Sequence, residues 1–173
     1  LDSQEIDAVY VGLPNHLHAP WSVRALKSGK HVLCEKPIAL SVEELNEMEM
    51  ASRDSGKVLA EALMYQYHPQ TQMVLDFLKS GKIGRVLHTL GIFTFKHSRD
   101  NDYRLLPDQG GGSLWDIGIY PISFTRAIFQ RLPDQVHGTE IQGATGVDMS
   151  FWGELLYTAN QGSSQFFCSF QTP

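Results

Sequence analysis

Over the first eighty residues the apolar positions alternate between two rhythms. Short runs of strand type, Ala8-Val9-Tyr10-Val11, His31-Val32-Leu33-Cys34 and Val58-Leu59-Ala60, are separated by stretches whose apolar residues recur at helical spacing: Val23 and Leu26, Leu45 and Met48, then Met73, Val74, Phe77 and Leu78. Residues three or four apart share one helix face, whereas a short uninterrupted apolar run suits a buried strand. Each helical stretch ends in Ser-Gly-Lys, at 28–30, 55–57 and 80–82, so each glycine reads as the left-handed residue that closes a helix. The pattern predicts strands near 7–12, 31–34 and 58–62 and helices near 19–28, 42–55 and 69–80. Ser41 with Glu44 reads as a capping box opening the second helix. Such alternation of helix, glycine stop and strand marks a parallel α/β sheet.

From about residue 85 the texture changes. Val86 to Phe95 is one long strand-like run, 96–112 is polar and glycine-rich, 113–130 has helical character, and β-prone runs follow near 135–142, 150–158 and 164–170. Clustered strands after a single helix predict an α+β domain with a mainly antiparallel open sheet. The expected fold class is therefore α/β: the C-terminal part of a Rossmann-type parallel sheet in residues 1–68, then a partial α+β domain in residues 69–173. Three strands are few for a doubly wound fold, so the chain is expected to be an internal piece of a longer polypeptide.

Composition narrows the function. With 19 acidic and 14 basic side chains, a net charge of -5 and no basic run, the chain lacks the electrostatic footprint of a nucleic-acid binder. Cys34 and Cys168 show no ligand spacing and read as core thiols, which excludes a disulfide scaffold or zinc ribbon. His16 and His18, two apart in a loop with no acidic partner, read as ordinary polar contacts, and no metal site is expected. No apolar stretch approaches the ~18 residues that span a bilayer. A protein with neither membrane nor nucleic-acid partners, working in the cytoplasm, is expected.

Two segments carry chemistry. Glu35-Lys36-Pro37 follows the strand 31–34, at the carboxyl edge where open parallel sheets bind ligands. Pro37 keeps Lys36 out of helical geometry, and the lysine reads either as a site cation or as a solvated loop residue. In Asp116-Ile117-Gly118-Ile119-Tyr120, helical spacing lets the carboxylate and phenol face one ligand; equally, Asp116 can complement a helix dipole while Tyr120 packs in the core. Spacing alone leaves both open. Gly110-Gly111-Gly112 reads as a flexible or tight helix entry rather than a phosphate loop, because no strand directly precedes it.

Several ordered motifs together resemble the Gfo/Idh/MocA oxidoreductase family: Pro14-Asn15-His16-Leu17-His18, then Gly29 through Pro37, then Gly110-Gly111-Gly112-Ser113-Leu114 with Asp116, Gly118 and Tyr120. Glu61-Ala62-Leu63-Met64-Tyr65, His68-Pro69-Gln70 and Arg104 are similar to its sugar and dihydrodiol dehydrogenase branch. The resemblance implies an NAD- or NADP-binding Rossmann domain whose glycine-rich phosphate loop precedes Leu1. It further implies a second domain with an open sheet that supports a homo-oligomer, dimer or tetramer. It implies a sugar, polyol or diol substrate, with Tyr120 as acid/base, Lys36 as its electrostatic partner and Asp116 orienting substrate hydroxyls. Pro14, Asn15, His18, Glu35 and Lys36 would line the cofactor. Gln66 stands where many relatives have arginine. A non-catalytic cofactor- or sugar-sensing protein of the same fold is the alternative, and a retained Lys36, Asp116 and Tyr120 speaks against it, since a sensor needs no proton-transfer pair. An unperturbed tyrosine is a poor base near neutrality, so Lys36 is expected to lower the Tyr120 pKa. The two residues lie 84 positions apart, and coordinates are expected to bring ammonium and phenol within about 6 Å, directly or through one water.

Overall fold

The computed structural model describes the backbone of residues 1–173 and every side chain except that of Asn160. Strands β1 (Ala8–Val11), β2 (His31–Cys34) and β3 (Leu59–Glu61) form a parallel sheet in the order β1-β2-β3. Helices α1 (His18–Lys27) and α2 (Val42–Ser55) connect them. Leu26, Val32, Cys34 and Met48 are fully or nearly fully buried between helices and sheet, the apolar burial that holds a parallel sheet together. The other face presents Tyr10 and Leu33, register partners that are both exposed.

The glycine stops act as the pattern predicts. Gly29, Gly56 and Gly81 have φ of 76°, 65° and 71°, where a side chain would be strained. At the start of α2 the Glu44 amide donates to Ser41 Oγ (3.2 Å), while the Glu44 carboxylate accepts from the Leu40 amide (2.8 Å). The reciprocal bond of the box is thus made one residue earlier than the simple motif implies.

Helix α3 (Pro69–Lys79) leads to a four-stranded sheet of β4 (His88–Thr94), β5 (Gln135–Gln142), β6 (Asp148–Tyr157) and β7 (Gly162–Ser169). Its order is β4-β7-β6-β5. The β5–β6 and β6–β7 pairs are antiparallel and β4–β7 is parallel, so the sheet is mixed. Helix α4 (Ile119–Phe129) lies on its inner face, where Phe129 stacks on Tyr157 at 4.2 Å and Phe166 on Phe151 at 6.0 Å. The outer face carries a row in register, Ile92, Phe167, Trp152 and Thr139, with Ile92 64% and Trp152 43% exposed.

One expected element differs. The segment 113–130 is not a uniform helix: Leu114–Gly118 forms a π-helical turn before α4 begins. Pro121 lacks the amide hydrogen and its ring crowds the carbonyl four residues back, that of Ile117, so a wider turn precedes the regular helix. Ahead of this turn the triple glycine is a tight connection. Amides of Gly111 and Gly112 donate to the carbonyls of Leu106 and Arg104 (3.0 and 2.9 Å). A Cβ on Gly112, whose φ is +119°, would sit 2.1 Å from Asp148 Oδ1. Asp148 in turn accepts from the Ser113 hydroxyl (2.6 Å) and the Leu114 amide (2.7 Å). Gly112→Ala is expected to destabilise the fold by about 2 kcal/mol or more, from positive φ plus overlap with a buried carboxylate; chemical denaturation of parent and variant measures it.

Candidate active site

The carboxyl ends of β1 and β2 open onto a cavity of about 370 Å³ lined by Gly12, Leu13, Pro14, Glu35, Lys36 and Arg104 among others. The Lys36–Pro37 peptide is cis. From this loop Lys36 reaches into the second domain. Its ammonium donates to Asp116 Oδ1 at 2.7 Å and to the Asp116 carbonyl at 2.5 Å. The π-helical turn makes the carbonyl contact available, because the residue five positions after Asp116 is Pro121, which has no amide hydrogen to give that carbonyl. The lysine and aspartate side chains are 13% and 6% exposed, so the ion pair is largely dry. Arg104 Nε binds the other carboxylate oxygen, Asp116 Oδ2, at 2.7 Å. One carboxylate is thus shared by two cations.

Tyr120 lies on the other side of the lysine. The Lys36 ammonium is 5.5 Å from the centre of its ring, within the range of a cation–π contact. The ring is packed between Phe93 (5.3 Å) and Tyr65 (6.2 Å), and its hydroxyl donates to Met64 Sδ at 3.8 Å. Lys36, Asp116 and Tyr120 therefore meet. The expected electrostatic effect is reversed, however. Burial raises the Tyr120 pKa above its ordinary value, helped by the carboxylates of Glu35, Asp116 and Glu61. The lysine's charge is committed to Asp116, and no ammonium touches the phenolic oxygen among the described residues.

The flanking loops are held by side chains that the sequence reading assigns to the cofactor. Asn15, 4% exposed, donates its amide to the Gly110 carbonyl (2.8 Å) and so ties the first domain to the glycine loop. His18 is fully buried, with Nδ1 2.7 Å from the Pro37 carbonyl and Nε2 2.6 Å from that of Leu13. Both line the cavity; the Asn15 side-chain nitrogen and both His18 ring nitrogens are engaged with protein carbonyls. Glu35 accepts from the Tyr10 hydroxyl (2.5 Å) and the Lys36 amide (3.1 Å). Pro14 directly precedes the single turn 15–17. Gln66 and Tyr65 both donate to Ser123 Oγ, at 3.2 and 2.7 Å.

Arg104 is the residue whose weight the sequence reading understates. Burial opposes its charge, but the Asp116 carboxylate and, further out, Asp102 more than offset this and raise its pKa. Tyr103, on whose ring the Arg104 guanidinium rests at 4.7 Å, and Asp102 are missed altogether. The signal available was Asp-Tyr-Arg shortly before a glycine loop, which has meaning only once the loop is known to fold back. A larger cleft, about 750 Å³ between α3 and α4 beyond Tyr65, holds no comparable cluster, so chemistry and not volume locates the site. Among the described residues no group of three or more His, Cys, Asp or Glu side chains is arranged to hold a metal, and no helix is long and apolar enough to cross a membrane.

The residues fit a dinucleotide. A cavity at the carboxyl edge of parallel strands is where such ligands sit. Gly12 keeps the exit of β1 clear, since a Cβ there would meet the Tyr10 ring at 2.8 Å. Fold and site thus define a two-domain Rossmann-type protein with its polar cluster at the seam. Residues 1–63 match the oxidoreductase family model with an NAD-binding Rossmann fold, and residues 71–173 match the GFO/IDH/MocA C-terminal domain. The chain belongs to the Gfo/Idh/MocA oxidoreductase family. It is 40% identical over 158 residues to the uncharacterized oxidoreductase ORF334 of Rhizobium meliloti, covering 91% of this chain and 47% of that protein. Over 175 residues it is 37% identical to D-xylose 1-dehydrogenase (NADP(+)) 2 of Haloferax volcanii, covering 100% and 53%. The crystal structure of aldose-aldose oxidoreductase from Caulobacter crescentus complexed with glycerol superimposes with a TM-score of 0.93 at 28% identity, over 99% of this chain and 52% of that one. The chain spans about half the length of the curated relatives it matches.

A neutral, partly buried phenol contributes stability below pH ~10 that is lost as pH rises through its raised folded value. Phenolate absorbance titration of parent and Tyr120→Phe is expected to lose one ionisation lying above pH 10. A missing ionisation below that value would contradict the burial argument.

Proposed function

We propose that this chain is part of an NAD(P)-dependent oxidoreductase that moves hydride between nicotinamide and a hydroxyl or carbonyl carbon of a sugar, polyol or diol. The observation that carries the reading is the meeting of Lys36, Asp116 and Tyr120 across a domain seam at the carboxyl edge of the parallel sheet. A sensing protein has no need of a lysine, a carboxylate and a phenol at one point.

A bound nicotinamide supplies or accepts the hydride. What this chain adds is control of the proton and of the substrate's oxygens. With its pKa raised by burial, Tyr120 is a proton donor at neutral pH, suited to protonating the alkoxide that forms when a carbonyl is reduced. In the oxidative direction the same oxygen takes the alcohol's proton. Lys36, above the ring, opposes the negative charge that Tyr120 then carries. Asp116 holds Lys36 in place, and its carboxylate, shared with Arg104, is the acceptor to which sugar hydroxyls can be oriented. Pro14, Asn15, His18 and Glu35 form the cofactor-side wall. Of these, Asn15 through its amide nitrogen and His18 through its ring nitrogens hold the backbone of Gly110 and Leu13.

The reading extends to assembly and place. The row of exposed Ile92 and Trp152 with half-buried Phe167 between them on the outer sheet face is the kind of apolar patch a subunit interface covers, which supports a homo-oligomer, dimer or tetramer. Cytoplasmic location accompanies this reading, as does a division of the domains at residues 68 and 69.

In the full-length protein, Tyr120→Phe keeps the ring's packing and removes only the hydroxyl. Turnover is expected to fall by roughly 10²-fold or more while cofactor affinity changes little. Lys36→Met is expected to depress turnover as well and to shift the alkaline rise in the rate upward. Nicotinamide absorbance followed across pH with a panel of sugars and polyols measures both; undiminished rates in the two variants would overturn the assignment.

A further inference from the structure

Behind the Lys36–Asp116 pair lies a second layer of nearly buried polar side chains. Asp102, whose side chain is 8% exposed, accepts the Arg104 amide (3.0 Å) and the Arg104 Nη1 on both oxygens (3.2 and 3.3 Å). His97, 7% exposed, places Nε2 3.4 Å from Asp102 Oδ2. The His97 ring is wedged between Phe95 (6.1 Å) and Phe170 (5.7 Å), and its Nδ1 accepts the Arg99 amide (3.4 Å). A ring nitrogen that accepts carries no hydrogen, so the proton of the neutral ring is on Nε2, facing Asp102.

The chain of contacts is continuous: His97 to Asp102, Asp102 to Arg104, Arg104 to Asp116, Asp116 to Lys36. At Asp116 the hold on Arg104 decides which oxygen the lysine finds free. A guanidinium untethered on its Nη1 side can turn about its own stem and take both Asp116 oxygens in the two-pronged geometry that arginine favours. Held by Asp102, Arg104 offers Asp116 only Nε and takes only Oδ2. Oδ1 is left for Lys36.

We propose that Asp102 and His97 are positioning residues: they lock the Arg104 guanidinium so that it occupies one Asp116 oxygen and leaves the other to the Lys36 ammonium over the Tyr120 ring. The inference rests on the functional reading above and adds two residues to it, neither of which touches the cavity at β1 and β2.

The test uses the full-length protein. In Asp102→Asn the charge that holds Nη1 is gone, and kcat is expected to fall by about 10- to 100-fold, the scale of a misplacement of about 1 Å at a reacting group, with KM for the sugar within about threefold. A merely structural role would lower the amount of folded protein without separating kcat from KM. His97 supplies the control for folding. His97→Gln keeps an N–H at the Nε2 position and is expected to retain at least about half of parental kcat, whereas His97→Leu keeps the packing, loses the donor and is expected to fall about tenfold. Equal rates in the Gln and Leu variants, or an Asp102→Asn kcat within twofold of the parent, would overturn the inference while leaving the oxidoreductase reading intact. A parent that reduces no nicotinamide with any sugar or polyol takes both readings down.

Discussion

Everything at the seam turns on the contact between the Lys36 ammonium and Asp116. The lysine leaves the carboxyl end of β2 in the first domain; the aspartate sits in the π-helical turn that opens α4 in the second. An ion pair this dry gains little net stability, because desolvating both groups costs about as much as their attraction returns, but removing one partner strands the other and costs several kcal/mol. Here the pair acts less as glue than as a requirement: Asp116 keeps Arg104, but the Lys36 ammonium meets its carboxylate only when the two domains meet at this angle. The Asn15 amide on the Gly110 carbonyl enforces the same geometry a short distance away.

The electrostatics of Tyr120 follow from that commitment. A single ammonium lies near two claimants, a carboxylate within hydrogen-bonding distance and an aromatic ring 5.5 Å away. Attraction to a full negative charge at short range outweighs attraction to a quadrupole, so the lysine is neutralised locally and the phenol responds to its burial and to nearby carboxylates. The site at rest holds its proton. That state suits a group that gives a proton to an alkoxide, and the lysine remains close enough to oppose the charge left behind.

Motif residues at this seam also hold backbone and one another. Asn15 and His18 stand in a segment that reads as a cofactor contact, and their side-chain nitrogens hold the carbonyls of Gly110, Leu13 and Pro37. They shape the cavity through backbone. Arg104, a motif residue in a stretch that otherwise looks like polar connection, holds the central carboxylate, and Asp102 holds Arg104.

Much of the architecture was legible in the chain because local rules governed it. Apolar spacing separated strand from helix, and the Ser-Gly-Lys endings located helix stops, since only glycine adopts φ near +70° without strain. The capping residue of α2 and the order of the motifs were readable for the same reason: each depends on neighbours in sequence. The parallel pairing of β4 with β7, between residues 75 positions apart, the π-helical turn before Pro121 and the folding back of Arg104 onto Asp116 were not, because each is decided by contacts through space or by competition between packing and backbone hydrogen bonds. The sequence by itself determined which residues could be chemical: a lysine before a proline, an aspartate and a tyrosine at helical spacing. Only the tertiary structure decided which of them face one another and who holds the lysine's charge, because Coulomb interactions depend on distance through space and on burial, and neither is a property of position along the chain.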